Sequence, residues 1–144
     1  MSVSRAAAAQ HLLKLKDAEK SFLGFVKVAE PTFDLADFQI DLINKLDALE
    51  KGILEDDQGR PARNILVTMP PRHAKSTFST VLFPAYYMAR NPNRYILSCS
   101  YNAMLASDFG RQVRDRASGV EVQQAFPDFR MSSDSRAAAV WSTE

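Results

Sequence analysis

Eight consecutive residues, Met69-Pro70-Pro71-Arg72-His73-Ala74-Lys75-Ser76, have the types and spacing to hold a phosphate chain. The phosphate-loop pattern is G-x-x-x-x-G-K-[ST], and here Met69 and Ala74 stand at the two glycine positions. Three features support the assignment despite those substitutions. The loop follows an expected buried strand, it opens an expected helix, and the Lys-Ser pair stands where that helix begins. The physics asks for this arrangement. Unpaired N–H groups at a helix N-terminus bind phosphate oxygens, and the helix dipole favours an anion there. Lys75 would reach the β- and γ-phosphates, and the Ser76 hydroxyl would ligate magnesium, a cation that takes hard oxygen ligands. If the Ala74 position needs a positive φ, alanine costs about 1 kcal/mol relative to glycine. The alternative is a plain strand–loop–helix connection with an incidental Lys-Ser.

The elements that must position this loop are read from periodicity. Asn64-Ile65-Leu66-Val67-Thr68-Met69 is a short, nearly continuous apolar run, the pattern of a strand buried on both faces of a parallel sheet. Arg94 to Ser100 reads as a second such strand. Between them, Lys75 to Arg90 reads as a helix with Phe78, Leu82, Ala85 and Ala89 on one side. Pro84 inside it is expected to bend or break it. Asn102 caps a further helix on which Leu105, Phe109 and Val113 stack. Pro127 interrupts the chain beyond that helix, and Ala137 to Trp141 is a candidate last strand.

Upstream, Ser4 is a candidate cap for a helix running to about Val28. A second helix is expected from Asp37 to Lys51, with Phe38, Leu42, Leu46, Leu49 and Ile53 as its apolar stripe and Gly52 as its stop. The stretch Glu55 to Pro61 is polar and turn-rich, a loop. Strand, helix, strand, helix after residue 64 argues an α/β fold with the strands near 64–69 and 95–99 parallel and central.

Composition narrows the class without naming a partner. Hydrophobic residues are 46% and charged residues 24% of the 144, values ordinary for a globular chain, and the net charge of +1 announces no nucleic acid. The distribution says more: residues 64–144 hold nine Lys or Arg against six Asp or Glu, and eight of those nine are Arg. Arginine suits bidentate phosphate contacts, though ordinary ion pairs are the commoner fate of any single one. Cys99 is the single cysteine, so no internal disulfide or cysteine metal cluster is expected, and it is read as a small hydrophobe packed behind the sheet. No segment has the length and apolarity of a signal peptide or a membrane span.

From Ile65 to Asp115 the chain resembles the large terminase subunit of tailed bacteriophages. In that family a Pro-Arg-rich phosphate loop follows the first core strand. The next strand ends in a Ser-Tyr pair before a helix with a Leu-Ala start, matched by Ser100-Tyr101-Asn102-Ala103-Met104-Leu105-Ala106. Phe126-Pro127-Asp128 and the stretch from Asp134 to Trp141 also resemble it, so the likeness covers roughly 35–144.

The resemblance implies a P-loop NTPase-type parallel sheet flanked by helices, incomplete, with an N-terminal helical segment over 1–33 and the first part of an ATPase domain over 34–144. It implies ATP and Mg2+ as cofactors. Its partners would be double-stranded DNA, the portal protein, the small terminase subunit and further copies of the chain, in a bacterial cytoplasm at the viral procapsid. The activity implied is ATP-driven DNA packaging. The site implied is Gln39 with Pro71, Arg72, His73, Ala74, Lys75, Ser76 and Thr77. Ser76 would hold the metal and Arg72 would stabilise the γ-phosphate as the catalytic residue.

Each of these residues has a plainer reading as well. Gln39 resembles a glutamine that reads adenine, or else it is a solvent-facing helix residue. His73 is an exposed loop histidine before it is a phosphate ligand, and His11 is surface. Ser98 and Ser100 would line a cleft at the strand's end. Arg111 and Arg114 face DNA or a neighbour, or pair with Asp108 and Asp115.

One departure matters. Phosphoryl transfer in such motors needs an acidic pair ending an apolar strand beyond the loop, and nothing after Ser76 has it. Ile53-Leu54-Glu55-Asp56-Asp57 has the acids but precedes the loop. The expectation is therefore an N-terminal piece that binds nucleotide without turnover. The rival expectations are a catalytically inactive prophage remnant acting as an interaction module, and another P-loop ATPase of helicase-like type.

Overall fold

The computed structural model describes residues 5–136 and 141–143, with side chains described through residue 132. In chain order the elements are α1 (Arg5–Lys20), α2 (Phe22–Ala29), α3 (Asp37–Glu50), a π-helical segment (Thr77–Leu82), α4 (Phe83–Arg90), α5 (Ala103–Ala117), α6 (Val120–Ala125), β1 (Met131–Arg136) and β2 (Trp141–Thr143).

The expected single N-terminal helix is two helices. Ser21 interrupts it: its backbone is extended and its hydroxyl accepts the N–H of Gly24, capping α2. The tight junction needs glycine at 24, because a Cβ there would lie 2.2 Å from the carbonyl oxygen of Asp17. Ser4, the expected cap of α1, lies outside the described residues. α3 begins at Asp37 as expected, although its cap is Ala36, which has no side-chain acceptor. Gln39 Oε1 fills part of that role by accepting the Ala36 N–H at 3.0 Å. The buried face of α3 is Leu42, Ile43 and Leu46, while Phe38 and Ile53 of the expected stripe are exposed.

The core is aromatic and sits where α2, α3 and α4 meet. Phe22 stacks on Tyr86 with ring centroids 5.2 Å apart and meets Phe83 edge-on at 5.4 Å. Phe25 packs on Tyr86 and Phe126. Rings at these separations add about 0.5–1.5 kcal/mol per pair beyond area burial. Phe78, Leu82, Ala85 and Ala89 are all buried, as the helical spacing predicts. One carboxylate ties the three helices together. Asp47 Oδ1 accepts the Phe22 N–H at 2.9 Å and the Tyr86 hydroxyl at 3.1 Å, and Oδ2 pairs with Lys51. Beside it Glu50 accepts from Arg90 and Asn91, and Arg90 also donates to the Glu19 carbonyl at 2.7 Å.

The expected α/β fold is not what forms. The chain is predominantly helical and has no parallel sheet among the described residues. The two segments read as central strands, near 64–69 and 95–99, have no ladder partners. Along the first, Ile65, Val67 and Met69 pack partly against the helical core, whereas Leu66 is 89% exposed, so it is apolar on both faces and covered on one. In the second, Tyr95 and Leu97 stand in solvent. A parallel strand needs at least one bonded neighbour and helices covering both faces of its sheet. Here the helices bury their apolar stripes against one another, which leaves no layer for a sheet. Cys99, expected behind that sheet, is accordingly exposed. The strand pairing present is an antiparallel ribbon of β1 and β2, with an irregular register between Met131↔Thr143 and Arg136↔Trp141. Of the expected strand at 137–141, Trp141 opens β2 and 137–140 lie outside the described residues.

The α1–α2 junction and the Asp47 hub can each be tested by one substitution. Gly24→Ala should lower stability by roughly 1–3 kcal/mol, the usual cost of forcing atoms into a filled site, read as a fall in urea midpoint. Burial, and then the negative charge of Asp47, raise the Tyr86 hydroxyl above its ordinary pKa. The neutral phenol therefore contributes stability that is fully present below pH ~10, the unfolded value, and is lost as pH rises through the raised folded value. Tyr86→Phe should cost about 1 kcal/mol at neutral pH and make the alkaline fall in stability shallower, measured by unfolding at a series of pH values.

Candidate phosphate-binding loop

The loop runs from the half-covered 64–69 segment directly into a helix. Helical geometry starts at Lys75, passes through the π-helical segment and continues through α4 to Arg90. Pro84 neither breaks nor sharply ends it. The wide π turn precedes the proline: Phe83 N–H bonds the Phe78 carbonyl, one residue further back than in an α-helix. Pro84 then stands at the start of the next α-helical run, where a missing N–H is tolerated. Inserted π turns are frequent at functional sites. The Ser79 hydroxyl bonds the Lys75 carbonyl at 2.8 Å, tightening the first turn.

Two loop residues, on either side of His73, are left-handed. Arg72 has φ 64° and Ala74 has φ 59°. Neither is glycine, so each carries a backbone cost of about 1–2 kcal/mol. Ala74 thus occupies the second glycine position of the motif in the conformation that glycine would adopt freely. Turns that combine left- and right-handed residues can converge successive N–H groups on an anion. The N–H groups of the helix's first turn have no intrahelical acceptors and open in the same region.

Arg60, Arg90, Arg111, Arg114 and Arg116 all pair with carboxylates, Arg111 with Asp108 and Arg114 with Asp115 at 3.2 Å. Those last two arginines therefore follow the ion-pair reading. Among the described residues, Arg72 and Lys75 make no ion pair, which leaves two loop cations available to an anion. No group of three or more His, Cys, Asp or Glu able to hold a metal occurs among the described residues. Magnesium would depend on the Ser76 hydroxyl together with phosphate oxygens and water.

His73 is exposed, as expected, yet it is not loose. Its Nδ1 lies 2.8 Å from the Pro71 carbonyl oxygen, and its ring packs on Phe38 with centroids 5.6 Å apart. Gln39 Nε2 donates to the His73 carbonyl over 3.4 Å. The structure thus brings Gln39 to the loop, and it adds Phe38, which helical spacing places on the apolar stripe of α3. The signal is present in the sequence: Phe38 is the stripe residue nearest the helix start, one position before Gln39. Pro71 lies in the turn before the helix, Ser76 in its first turn, and Thr77 opens the π-helical segment. Ser98 and Ser100 lie on an exposed segment. His11 is a surface residue bonded to Gln124.

No family model, curated protein or solved structure matches the chain. No helix among the described residues is long and apolar enough to cross a membrane.

The left-handed backbone gives a direct test. Ala74→Gly should leave stability unchanged or raise it, because relief of strain offsets the added freedom of the unfolded chain. The same substitution at Ala106, inside α5, should cost about 0.5–1 kcal/mol. Equal losses at both positions, by denaturant midpoint, would contradict a left-handed Ala74.

Proposed function

We propose that this chain binds a nucleoside triphosphate through residues 71–77, as the nucleotide-binding part of an ATP-driven viral DNA-packaging motor of the terminase type. The observation that carries the reading is the loop itself: left-handed residues at 72 and 74, succeeded at once by Lys75 and Ser76 at the start of a helix. In this reading the helix's first N–H groups hold phosphate oxygens and Lys75 neutralises the β- and γ-phosphates. Ser76 meets magnesium, and Arg72 lies beside the terminal phosphate. When bound, the nucleotide with its magnesium supplies the phosphoryl group and the metal charge. The chain's own part is to bind and orient. DNA, a portal and a small terminase subunit as partners come from the resemblance and belong to the same proposal.

A second reading, a non-catalytic interaction module, is favoured by the exposed apolar side chains of Leu66, Tyr95, Leu97 and Tyr101. Nucleotide binding separates the two. Mg-ATP should bind measurably by calorimetry, and Lys75→Ala should remove most of that binding while circular dichroism stays unchanged. Equal binding by parent and variant would reject the assignment.

Turnover is a separate matter. Acceleration needs groups that act more strongly in the transition state than in the ground state, and for phosphoryl transfer these include the acid that holds magnesium and the group that orients water. Each contributes several kcal/mol, and about 1.4 kcal/mol is a factor of ten in rate. With no acidic strand motif after Ser76, phosphate release by this chain should not exceed that of Lys75→Ala. Release well above that control would mean that an acid elsewhere in the chain serves the magnesium.

A further inference from the structure

The phosphate loop is held from outside itself. The N-terminus of α3 meets it at one residue, His73, by two different contacts: the Phe38 ring against the imidazole and the Gln39 amide on the His73 carbonyl. The same Gln39 side chain faces both ways. Its Oε1 accepts the Ala36 N–H and closes the start of α3, while its Nε2 donates across to the loop. The other side of His73 is fixed as well, through Nδ1 and the Pro71 carbonyl. His73 stands between Arg72 and Ala74, the two residues with left-handed backbone. A loop that carries strain at both neighbours stays curled only if its surroundings over-determine it.

We propose that Phe38 and Gln39 are positioning residues that latch the phosphate loop in its binding shape through His73. Gln39 is thereby spent on the loop backbone, not on a nucleobase. The ligand chemistry that depends on it is the polyphosphate, whatever base is attached. The effect on ligand affinity rests on the phosphate-binding reading above; the effect on loop order does not.

The experiment uses the whole chain, Mg2+ with inorganic triphosphate as the baseless probe, and amide hydrogen exchange as a ligand-free readout. Gln39→Glu keeps an acceptor for the Ala36 N–H and deletes the donor to His73, so it separates the helix cap from the latch. Gln39→Met adds no charge near the phosphates and serves for the affinity measurement. Phe38→Ala removes the ring contact from a side chain that is already 48% exposed. The expected result is faster exchange confined to residues 72–76 in Gln39→Glu and Phe38→Ala. Exchange across 42–50 and the unfolding midpoint should stay unchanged. Triphosphate should bind roughly three- to tenfold more weakly to Gln39→Met and Phe38→Ala, the scale of one hydrogen bond or ring contact.

Unchanged exchange at 72–76 together with unchanged triphosphate affinity would overturn the latch. Weakened ATP binding with intact triphosphate binding would do so too, and would assign Gln39 to the base. A parent chain that binds no triphosphate, while the variants still exchange faster at 72–76, would sink the nucleotide reading and leave the latch standing.

Discussion

The Asp47 carboxylate is the interaction on which the rest of the arrangement depends. It sits on α3 and takes a backbone N–H from the first residue of α2 and a hydroxyl from α4, with Lys51 balancing its charge. A carboxylate at a helix N-terminus is favoured by the dipole of that helix, and hydrogen bonds to an ionised acceptor are about twice as strong as neutral ones. The alternative partners for these groups have been removed by packing: Phe22 and Tyr86 are fully buried around it. Losing the carboxylate would leave a buried hydroxyl and a buried N–H without an acceptor, which costs more than the bonds themselves contribute. The three helices therefore hold one another in fixed relation through a single side chain.

That relation sets where the loop at 71–77 can be. The helix that the loop opens has its far end fixed by Tyr86 and by Arg90, whose guanidinium reaches Glu50 on α3 and the Glu19 carbonyl at the end of α1. Its near end is met by Phe38 and Gln39, which belong to the same α3. One helix thus spans the loop-bearing helix from end to end. Between the two anchor regions lies the π turn, where Pro84 would otherwise clash with the preceding carbonyls. The proline's missing donor and ring are accommodated by this local widening, and helical hydrogen bonding continues through it to Arg90.

Much of this was legible from residue types because it is local. The buried face of α4 and the turn before it is set by the spacing of Phe78, Leu82, Ala85 and Ala89. The cap at Asn102 is set by its acceptor, which takes the Met104 N–H at 2.8 Å. The pairing of Arg111 and Arg114 with nearby acids is set by helical proximity. A positive φ at Ala74 is set by the motif's glycine. The parallel sheet was misread, because an apolar run such as Ile65 to Met69 states only that it wants burial, and the choice of neighbours is made by the whole chain. The half-covered state of that run, with Leu66 outward, shows the same pattern meeting a one-sided core. Phe38 misleads for a related reason: helical spacing places it on the stripe, but at the first turn of α3 the core has already curved away and the loop has taken its place.

Strain and charge in the loop point in one direction. A left-handed arginine and a left-handed alanine two residues apart raise the free energy of the folded chain. Arg72 and Lys75 stand beside this curled backbone without a carboxylate to balance them among the described residues. Arg63 and Arg94, elsewhere in the chain, also lack one, while Arg60, Arg90, Arg111, Arg114 and Arg116 have each found one. A chain selected for stability alone would relax both features, since glycine at either site or an acid nearby would remove the cost. Retaining both is what a loop would do if its balancing charge arrives from outside: the anion lowers the energy of the curled backbone by using its N–H groups and neutralises the two cations at once. For the same reason the latch from α3 makes neutral contacts only. An acidic partner in place of Gln39 would hold the loop as well, but it would compete with the anion for Lys75.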